Sequence, residues 1–222
     1  MARPAYPRPS TAWLGLSVAV TIFSAAPGIA GDVTAVLADL ERAGRSLSTM
    51  QAKFVETRTL VLLDENELSE GRVILEVPGR LRWDYLQPQE SVMLIKDGRF
   101  ARYFPRTKQV FRGEARGEAD LLVGFGPGAA GLGERYDVTL VGEKTLSERA
   151  AHVLDLVPKA GDGLFSAIRM WVDAELYFPL QTRLTEPTGD YTTIRFEEVS
   201  INQGLPKGAF DLKLPGDVIE IQ

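Results

Sequence analysis

Apolar and polar positions alternate with a period of two along most of the chain, which predicts β-strands with one buried and one solvated face. The clearest case is the segment GRLRWDYLQP at residues 79–88, in which Leu81, Trp83 and Tyr85 alternate with charged side chains. The pattern recurs about ten or eleven times after residue 47. Its regular spacing, with turn signals in between, favours one large antiparallel sheet that is strongly curved or partly closed.

Short polar or glycine-containing segments mark the turns of this sheet. The first strand is predicted to run to about residue 63, before a turn at residues 64–67 and a second strand at residues 71–77. Asp97-Gly98 predicts a two-residue hairpin, because both residue types tolerate positive φ. The tail after Ile201 is predicted to be extended, since its prolines limit regular structure.

One long helix is predicted at residues 32–46, before the period changes to two. Asp32 is placed to act as its N-cap. The apolar side chains follow the helical i, i+3, i+4, i+7 spacing: Val33, Val36, Leu37 and Leu40. This stripe must be buried, and the open face of the predicted sheet offers a surface for it.

The alternation breaks down at residues 113–135, which contain seven glycines. A short apolar run at residues 119–126 predicts one or two weak helical turns within a mobile loop. The glycines do not follow a strand and open a helix, so the pattern favours a flexible loop over a phosphate-binding loop.

The N-terminus has the pattern of a secretory signal peptide. Arg3 and Arg8 precede an apolar run at residues 12–25, which is too short for a comfortable transmembrane helix. Gly28 and Ala30 then provide small residues for a cleavage site. We therefore predict a signal peptide at residues 1–30 and a single mature domain at residues 31–222.

Composition argues against several classes of function. The chain has a formal charge of −5, which disfavours nucleic acid and anionic membranes as partners. It has no cysteine, so disulfides, thiolate metal sites and a lipid-modified N-terminal cysteine are excluded. His152 is the only histidine, and its strand pattern predicts a structural role. With no nucleophile–base pair, metal-ligand set or nucleotide motif visible, we predict no catalytic residue, metal or cofactor.

Periodicity alone leaves two interpretations open for Leu81, Trp83 and Tyr85. They pack beneath the N-terminal helix as ordinary core, or they line a cavity for an apolar ligand. A single helix covers only a small part of so large a sheet. An uncovered apolar face would aggregate unless it formed a pocket or were capped by the glycine-rich segment.

Four segments, in order along the chain, carry a resemblance to a known family. They are FVET at residues 54–57, EGRVILEVPGRLRWDYLQP at residues 70–88, KDGRFARYFPRTKQV at residues 96–110, and GDYTTIRFEEVSINQGLPKGAFDLKLPGDV at residues 189–218. Behind a signal peptide, this series resembles the periplasmic lipoprotein carriers, the LolA-type proteins, and it covers most of the mature chain.

The resemblance implies a mainly β fold with helices, namely a half-open antiparallel barrel of about eleven strands. An N-terminal helix and a helical, glycine-rich lid would lie over an apolar cavity. The cavity wall is then expected to comprise Met50, Phe54, Leu75, Val77, Leu81, Trp83 and Tyr85. The expected apolar contacts of the lid are Leu121, Leu122 and Phe125.

The resemblance also implies a function by binding alone. Such a protein carries the acyl chains of a lipoprotein, or a related lipid, through the periplasm as a monomer. Its partners would be an inner-membrane donor complex and an outer-membrane acceptor. A sensor or accessory lipid-binding protein of the same fold, serving an export or signalling system, is the alternative. A lipid hydrolase is disfavoured by the missing nucleophile–base pair.

One position departs from the family pattern. The carriers have a basic residue, usually Arg, just before the proline of the second strand, and it is associated with hydrogen bonds that hold the lid closed. This chain has Val77 there, and Arg80 is displaced by three residues. We therefore expect a looser closed state and a difference in cargo.

Overall fold

The computed structural model describes residues 32–115, 123–160 and 164–221, so the predicted signal peptide lies outside the described residues. Helix α1 spans Val33–Ser46, as the spacing of its apolar residues predicts. Asp32 is its N-cap, since the carboxylate Oδ1 accepts a hydrogen bond from the backbone N–H of Thr34 at 2.9 Å. Val36 and Leu40 of the apolar stripe are buried.

Strands make up most of the remaining described residues. They are β1 (Thr49–Leu60), β2 (Glu65–Glu76), β3 (Arg80–Gln87), β4 (Ser91–Lys96), β5 (Arg99–Phe104), β6 (Gln109–Glu114), β7 (Tyr136–Leu146), β8 (Arg149–Pro158), β9 (Ala167–Asp173), β10 (Pro179–Thr185), β11 (Tyr191–Ile201) and β12 (Ile219–Ile221). A 3₁₀ helix (Gly126–Ala129) and the short helix α2 (Leu132–Arg135) lie between β6 and β7.

All twelve strands belong to one sheet, in the order β12-β6-β5-β4-β3-β2-β1-β11-β10-β9-β8-β7. Neighbouring strands are antiparallel, except that β12 pairs with β6 in parallel. Because β12 and β7 stand at opposite edges, the sheet does not close into a barrel. The predicted mainly β, half-open fold is therefore confirmed.

The first hairpin differs from its prediction. β1 ends at Leu60 and β2 begins at Glu65, so the turn lies at residues 61–64 instead of residues 64–67. The apolar pattern of β1 continues past its end, although Leu62 is 91% exposed. Hydrophobicity therefore concealed a turn in which Asp64 adopts a left-handed φ of 54°.

The C-terminal tail also forms a strand that the sequence did not indicate. The backbone N–H of Ile219 donates to the carbonyl of Lys108 at 2.8 Å, where β12 begins its pairing with β6. The side chains of Lys108 and Asp217 form an ion pair beside it. A short parallel pairing with a distant strand leaves no local signal in the sequence.

The main core lies on one face of the sheet, which we call the inner face and define as the face that carries Trp83. Helix α1 and residues 123–135 lie over this face, and we call these two segments the cover. Buried side chains of the sheet and of the cover form one continuous cluster. The inner face is therefore closed by short helical segments and not by a second sheet.

The opposite, outer face holds the tail. Arg82, next to Trp83 on β3 but pointing to the other side, donates hydrogen bonds to the carbonyls of Ala209 (3.3 Å) and Asp211 (3.0 Å). Phe210 between them is buried. The tail thus fixes the outer side of the same strand whose inner side is the predicted site.

Asn202 joins the end of β11 to the junction of α1 and β1. Its side-chain Oδ1 accepts hydrogen bonds from the backbone N–H of Ser48 at 2.7 Å and from the Ser48 hydroxyl at 2.9 Å. Its side-chain Nδ2 donates to the carbonyl of Ser46 at 3.0 Å. These bonds satisfy the C-terminal end of α1 and set where the helix leaves the sheet.

Candidate functional site

Five aromatic rings form a continuous row across the inner face and into the cover. Ring centroids are 5.2 Å apart for Tyr85 and Phe54, 4.8 Å for Phe54 and Trp83, 6.2 Å for Trp83 and Phe196, and 5.0 Å for Phe196 and Phe125. We call this set the aromatic row. It brings three predicted wall residues into contact with each other and, through Phe196, with the predicted lid residue Phe125.

The row depends on close backbone packing at Gly71. Gly71 pairs with Phe54 on β1 and with Tyr85 on β3. A Cβ at this position would lie 1.9 Å from the carbonyl oxygen of Asp84 and 2.7 Å from the Phe54 ring. Only glycine therefore leaves room for the Phe54 ring between its neighbours.

The other predicted wall residues flank the aromatic row. Met50, Leu75 and Leu81 are buried in the same cluster. Val77 is half-buried and packs against this cluster. The alternation of β1, β2 and β3 thus places the predicted wall residues on one side of the sheet, and whether they bind a ligand remains a prediction.

The two segments of the cover pack very closely against each other and against the end of β2. A Cβ on Gly44 of α1 would lie 2.6 Å from the carbonyl oxygen of Gly126 and 2.7 Å from the Cβ of Ala129. Gly126 has a left-handed φ of 49°, and a Cβ there would lie 2.9 Å from Cγ2 of Val77. Two glycines therefore let the two parts of the cover approach each other and the end of β2.

Of the three residues predicted to form the apolar contacts of the lid, one lies within the described residues. Phe125 is 2% exposed and is the last ring of the aromatic row, in contact with Phe196. Leu121 and Leu122 lie outside the described residues. Val123 and Leu132, which the sequence analysis did not select, are buried beside Phe125 in the cluster.

A small cleft opens at the seam between the cover and the sheet. It has a volume of about 230 Å³, and its lining includes Gly44, Leu47, Phe125, Phe178 and Ile201. Deeper in the core, the indole N–H of Trp83 is buried and lacks a hydrogen-bond partner among the described residues. Apart from this donor and the Tyr85 hydroxyl, the side chains of the predicted wall are apolar.

A polar group adjoins the Tyr85 end of the aromatic row. The Tyr85 hydroxyl donates a hydrogen bond to Oε2 of Glu56 at 3.1 Å. Burial raises the pKa of the Glu56 carboxyl, although the Tyr85 hydrogen bond and the charges of Arg102 and Arg58 oppose that rise. Burial, together with the neighbouring Glu56 carboxylate, also raises the pKa of the Tyr85 hydroxyl.

Sequence reasoning missed Phe196, Glu56 and Arg102. Phe196 lies in an alternating strand, so its burial could have been predicted, but its place in the row depends on the pairing of β11 with β1. Glu56 follows Phe54 with the period of two, which indicates the same face. Arg102 shares that face because Trp83, Met93 and Arg102 are successive partners across β3, β4 and β5.

In the described part of the chain, no three His, Asp or Glu side chains are arranged to hold a metal ion. The ring of His152 stacks on that of Tyr177, with centroids 6.1 Å apart. No helix within the described ranges has the length and apolarity needed to cross a membrane.

The sequence that forms this apolar wall and its helical cover also matches a known protein family. Residues 45–213, more than half of the chain, match the model of the family described as outer membrane lipoprotein carrier protein LolA. The chain belongs to the LolA family, which confirms the resemblance inferred from the four segments. This family consists of carriers and not of enzymes.

Individual relatives are similar at low identity. An outer-membrane lipoprotein carrier protein of Chromobacterium violaceum is 27% identical over 205 residues, which cover 90% of this chain and 94% of the relative. An Azotobacter vinelandii protein of the same description is 28% identical over 161 residues, covering 69% and 72%. An uncharacterised protein of Methanocaldococcus jannaschii is 23% identical over 173 residues, or 77% of this chain, but the match spans only 48% of that relative.

Solved structures of similar fold include an uncharacterised conserved protein of Thermus thermophilus. Its TM-score is 0.57 at 16% identity, and the match covers 85% of this chain and 97% of the other. MucB has a TM-score of 0.53 at 21% identity, over 82% of this chain and 63% of MucB. Identities this low show a shared fold and do not transfer a ligand or a partner.

Proposed function

We propose that this protein is a periplasmic carrier that takes up the acyl chains of a lipoprotein, or of a related lipid, between the inner face and the cover. The observation that carries the proposal is the aromatic row, which begins on the sheet at Tyr85 and ends in the cover at Phe125. If the cover moves away, both sides of this contact become apolar surface of the kind that an acyl chain can replace.

The volumes favour a mechanism in which the cover opens. The seam cleft of about 230 Å³ is smaller than the roughly 300–1,000 Å³ of most ligand pockets. Trp83 beneath it is only 1% exposed. A long acyl chain therefore reaches the wall only when residues 123–135 are displaced from the inner face.

The energetics suit transport by binding alone. Burying an acyl chain contributes about 0.8 kcal/mol per CH₂ group, so a sixteen-carbon chain gains roughly 10 kcal/mol before the chain and the protein are ordered. Displacing Phe125 from Phe196 opposes this gain. This opposing cost, and the cost of ordering the chain and the protein, lower the net affinity, which helps release of the chain.

The remaining parts of the proposal concern the cell. We propose that the mature domain begins after residue 30, works in the periplasm as a monomer, and needs no cofactor. Its partners would be an inner-membrane donor complex and an outer-membrane acceptor. The family of lipoprotein carriers supports this assignment.

Quenching of tryptophan fluorescence by a brominated fatty acid tests the proposal. Trp83 lies on the inner face, whereas Trp171 lies on the outer face. Paired residues of neighbouring strands share a face, and Trp171 is connected through Gln181 and Arg195 to Val55. Val55 follows Phe54 on β1 and therefore points away from the inner face. In a Trp13→Phe background, Trp171→Phe leaves Trp83 as the only tryptophan. We expect bromopalmitate to quench this protein strongly, because bromine quenches only at contact distance.

The matched control is Trp83→Phe in the same background, which leaves Trp171 alone. We expect much weaker quenching of this variant at the same fatty acid concentration. Equal quenching of the two variants, or none of the Trp83 protein although the fatty acid binds, would show that the acyl chain does not lie on the inner face.

A further inference from the structure

A second cleft lies at the other end of the inner face from the contact between Val77 and Gly126. It has a volume of about 510 Å³, within the range of ligand pockets. The side chains that matter for its chemistry are Glu56, Tyr85, Ser91, Arg102 and Phe104. The second half of β1, the ends of β3 and β5 and the start of β4 bring these side chains together.

Two arginines line this cleft, Arg58 and Arg102. Arg58 has a partner outside the cleft lining, since its Nη2 lies 3.6 Å from Oε1 of Glu186, so Arg102 is the cation considered for a ligand. Its guanidinium carbon lies 5.5 Å from the centroid of the Tyr85 ring and 5.2 Å from that of Phe104. Its Nε–H is buried and has no hydrogen-bond partner among the described residues. Arginine stays charged at any physiological pH, so a donor of this kind without an acceptor is unfavourable.

Glu56 is a poor counter-ion for Arg102. Its carboxylate already accepts the hydrogen bond from Tyr85 at 3.1 Å. Burial raises the pKa of Glu56 and so weakens its preference for the negative form, even though Arg102 and Arg58 favour that form. The guanidinium is therefore held in place by two aromatic rings while part of its donor capacity is free for a ligand.

The cleft is continuous with the proposed acyl site. Tyr85 lines the cleft and is also the first ring of the aromatic row, 5.2 Å from Phe54. A molecule with a charged head and an acyl chain could thus place both parts on one surface, with the head at Arg102 and the chain along Phe54 and Trp83.

We propose that this cleft binds the phosphate of an anionic acyl lipid, with Arg102 as the group that pairs with it. The planar guanidinium fork matches phosphate oxygens in geometry as well as in charge. The inference rests on the proposed function, because it assigns the acyl chain of the same lipid to the aromatic row. It adds that the cargo carries an anionic head and is bound in one orientation.

Calorimetric titration with two lipids that differ only in the head tests this proposal. Lauroyl lysophosphatidic acid and monolauroylglycerol share their acyl chain and glycerol, and only the first carries a phosphate. We expect the wild-type protein to bind the phosphate lipid about tenfold more tightly, as charge-assisted hydrogen bonds imply. In Arg102→Gln, the two affinities should become equal through loss of affinity for the phosphate lipid alone.

Two variants serve as controls. Arg99→Gln removes the same charge from the same strand, but residue 99 lies on the outer face, so the preference should stay as in the wild type. Arg102→Lys keeps the positive charge and the alkyl chain but loses the planar guanidinium with its paired N–H donors. This variant also tests the proposal if Arg102→Gln does not fold. We expect an intermediate preference for this variant.

Each contrary result has a distinct meaning. Equal wild-type affinities for the two lipids, or an unchanged preference in Arg102→Gln and Arg102→Lys, would overturn the head-group site and leave the carrier proposal intact. Binding of glycerol phosphate as tight as that of the phosphate lipid would show a site for a free anion and overturn the lipid assignment. If neither lipid binds, both proposals fail.

Discussion

Val77 occupies the position at which the resemblance described above implies a basic residue. The residue follows β2 and is half-buried, and its Cγ2 lies 2.9 Å from the position that a Cβ on Gly126 would occupy. Val77 therefore makes an apolar contact with the cover at the position where the resemblance implies a basic residue that bonds to the lid. This contact cannot supply hydrogen bonds that would hold the cover closed.

We predict that Val77→Arg lowers the affinity for palmitate by about fivefold or more, measured by displacement of a fluorescent fatty acid. The new guanidinium must either hydrogen-bond to carbonyls of the cover or stay unpaired next to hydrocarbon, and both outcomes compete with an inserted chain. Val77→Leu is the matched control and should bind nearly as the wild type does. Unchanged or tighter binding by Val77→Arg would contradict the prediction.

At the scale of residues, the sequence revealed which side chains share a face but not which of them touch. Alternation was enough to group Met50, Phe54 and Trp83. It could not show that Phe196 completes the aromatic row, because this contact depends on pairing between β1 and β11, which are far apart in the chain. The buried, unpartnered donor of Arg102 likewise depends on three strands coming together.

At the scale of elements, a single carboxylate holds the turn between β9 and β10. Asp173 is 1% exposed. Its Oδ1 accepts backbone hydrogen bonds from Glu175 at 2.9 Å and Leu176 at 2.7 Å, and its Oδ2 accepts a hydrogen bond from the side-chain Nε of Arg149 on β8. Burial alone would raise the pKa of Asp173, but these hydrogen bonds and the charge of Arg149 hold it below its ordinary value of 3.8.

This lowered pKa predicts how stability depends on pH. A carboxyl with a lower pKa in the folded state stabilises the fold above its ordinary pKa and loses that contribution as pH falls through the folded value. We expect Asp173→Asn to lower the free energy of unfolding by about 2 kcal/mol at pH 7. Below about pH 4 the difference from the wild type should shrink.

Urea unfolding of the two proteins at several pH values measures this effect. Asp190→Asn is a suitable control, because Asp190 also accepts a backbone hydrogen bond, from Val61 at 2.9 Å, but is only half-buried, in the turn between β10 and β11. A difference between wild type and Asp173→Asn that stays constant from pH 7 to pH 3 would show that the charge of Asp173 does not contribute.

Elements with local signals were predicted well, and elements that depend on distant partners were not. Asp32 and the apolar stripe define α1, and Asp97-Gly98 forms the expected hairpin, with φ of 53° and 72°. The first hairpin was misplaced because an apolar run extends into its turn. β12 was missed because a strand of three residues gains its structure from β6 and not from its own pattern.

At the scale of the whole molecule, the sheet and its cover differ in how they are held. The sheet is a ladder in which β1 pairs with a neighbour on each side. In the cover, by contrast, Gly124 bonds to Gly128, Gly128 to Phe125 and Ala130 to Pro127, all within the same stretch. Residues 124–130 of the cover can therefore move together without breaking these hydrogen bonds, provided that Phe125 leaves its place.

This difference predicts a specific pattern of hydrogen exchange. In the protein without ligand, amides of residues 123–135 should exchange faster than those of β1 and β11, because the glycines raise the entropy lost when the segment is fixed. Palmitate at about 100 times its dissociation constant should slow exchange in residues 123–135 by up to about 100-fold, because these residues close again over the bound chain and the open protein holds the chain much less tightly.

The amides of β1 and β11 serve as the internal reference, because opening of the cover leaves their ladder intact and their exchange should change little with palmitate. The measurement is made on the full protein by mass spectrometry after short exchange times. Equal protection of residues 123–135 with and without palmitate would mean that these residues do not close over the chain. The acyl site would then have to lie on a part of the inner face that the cover does not reach.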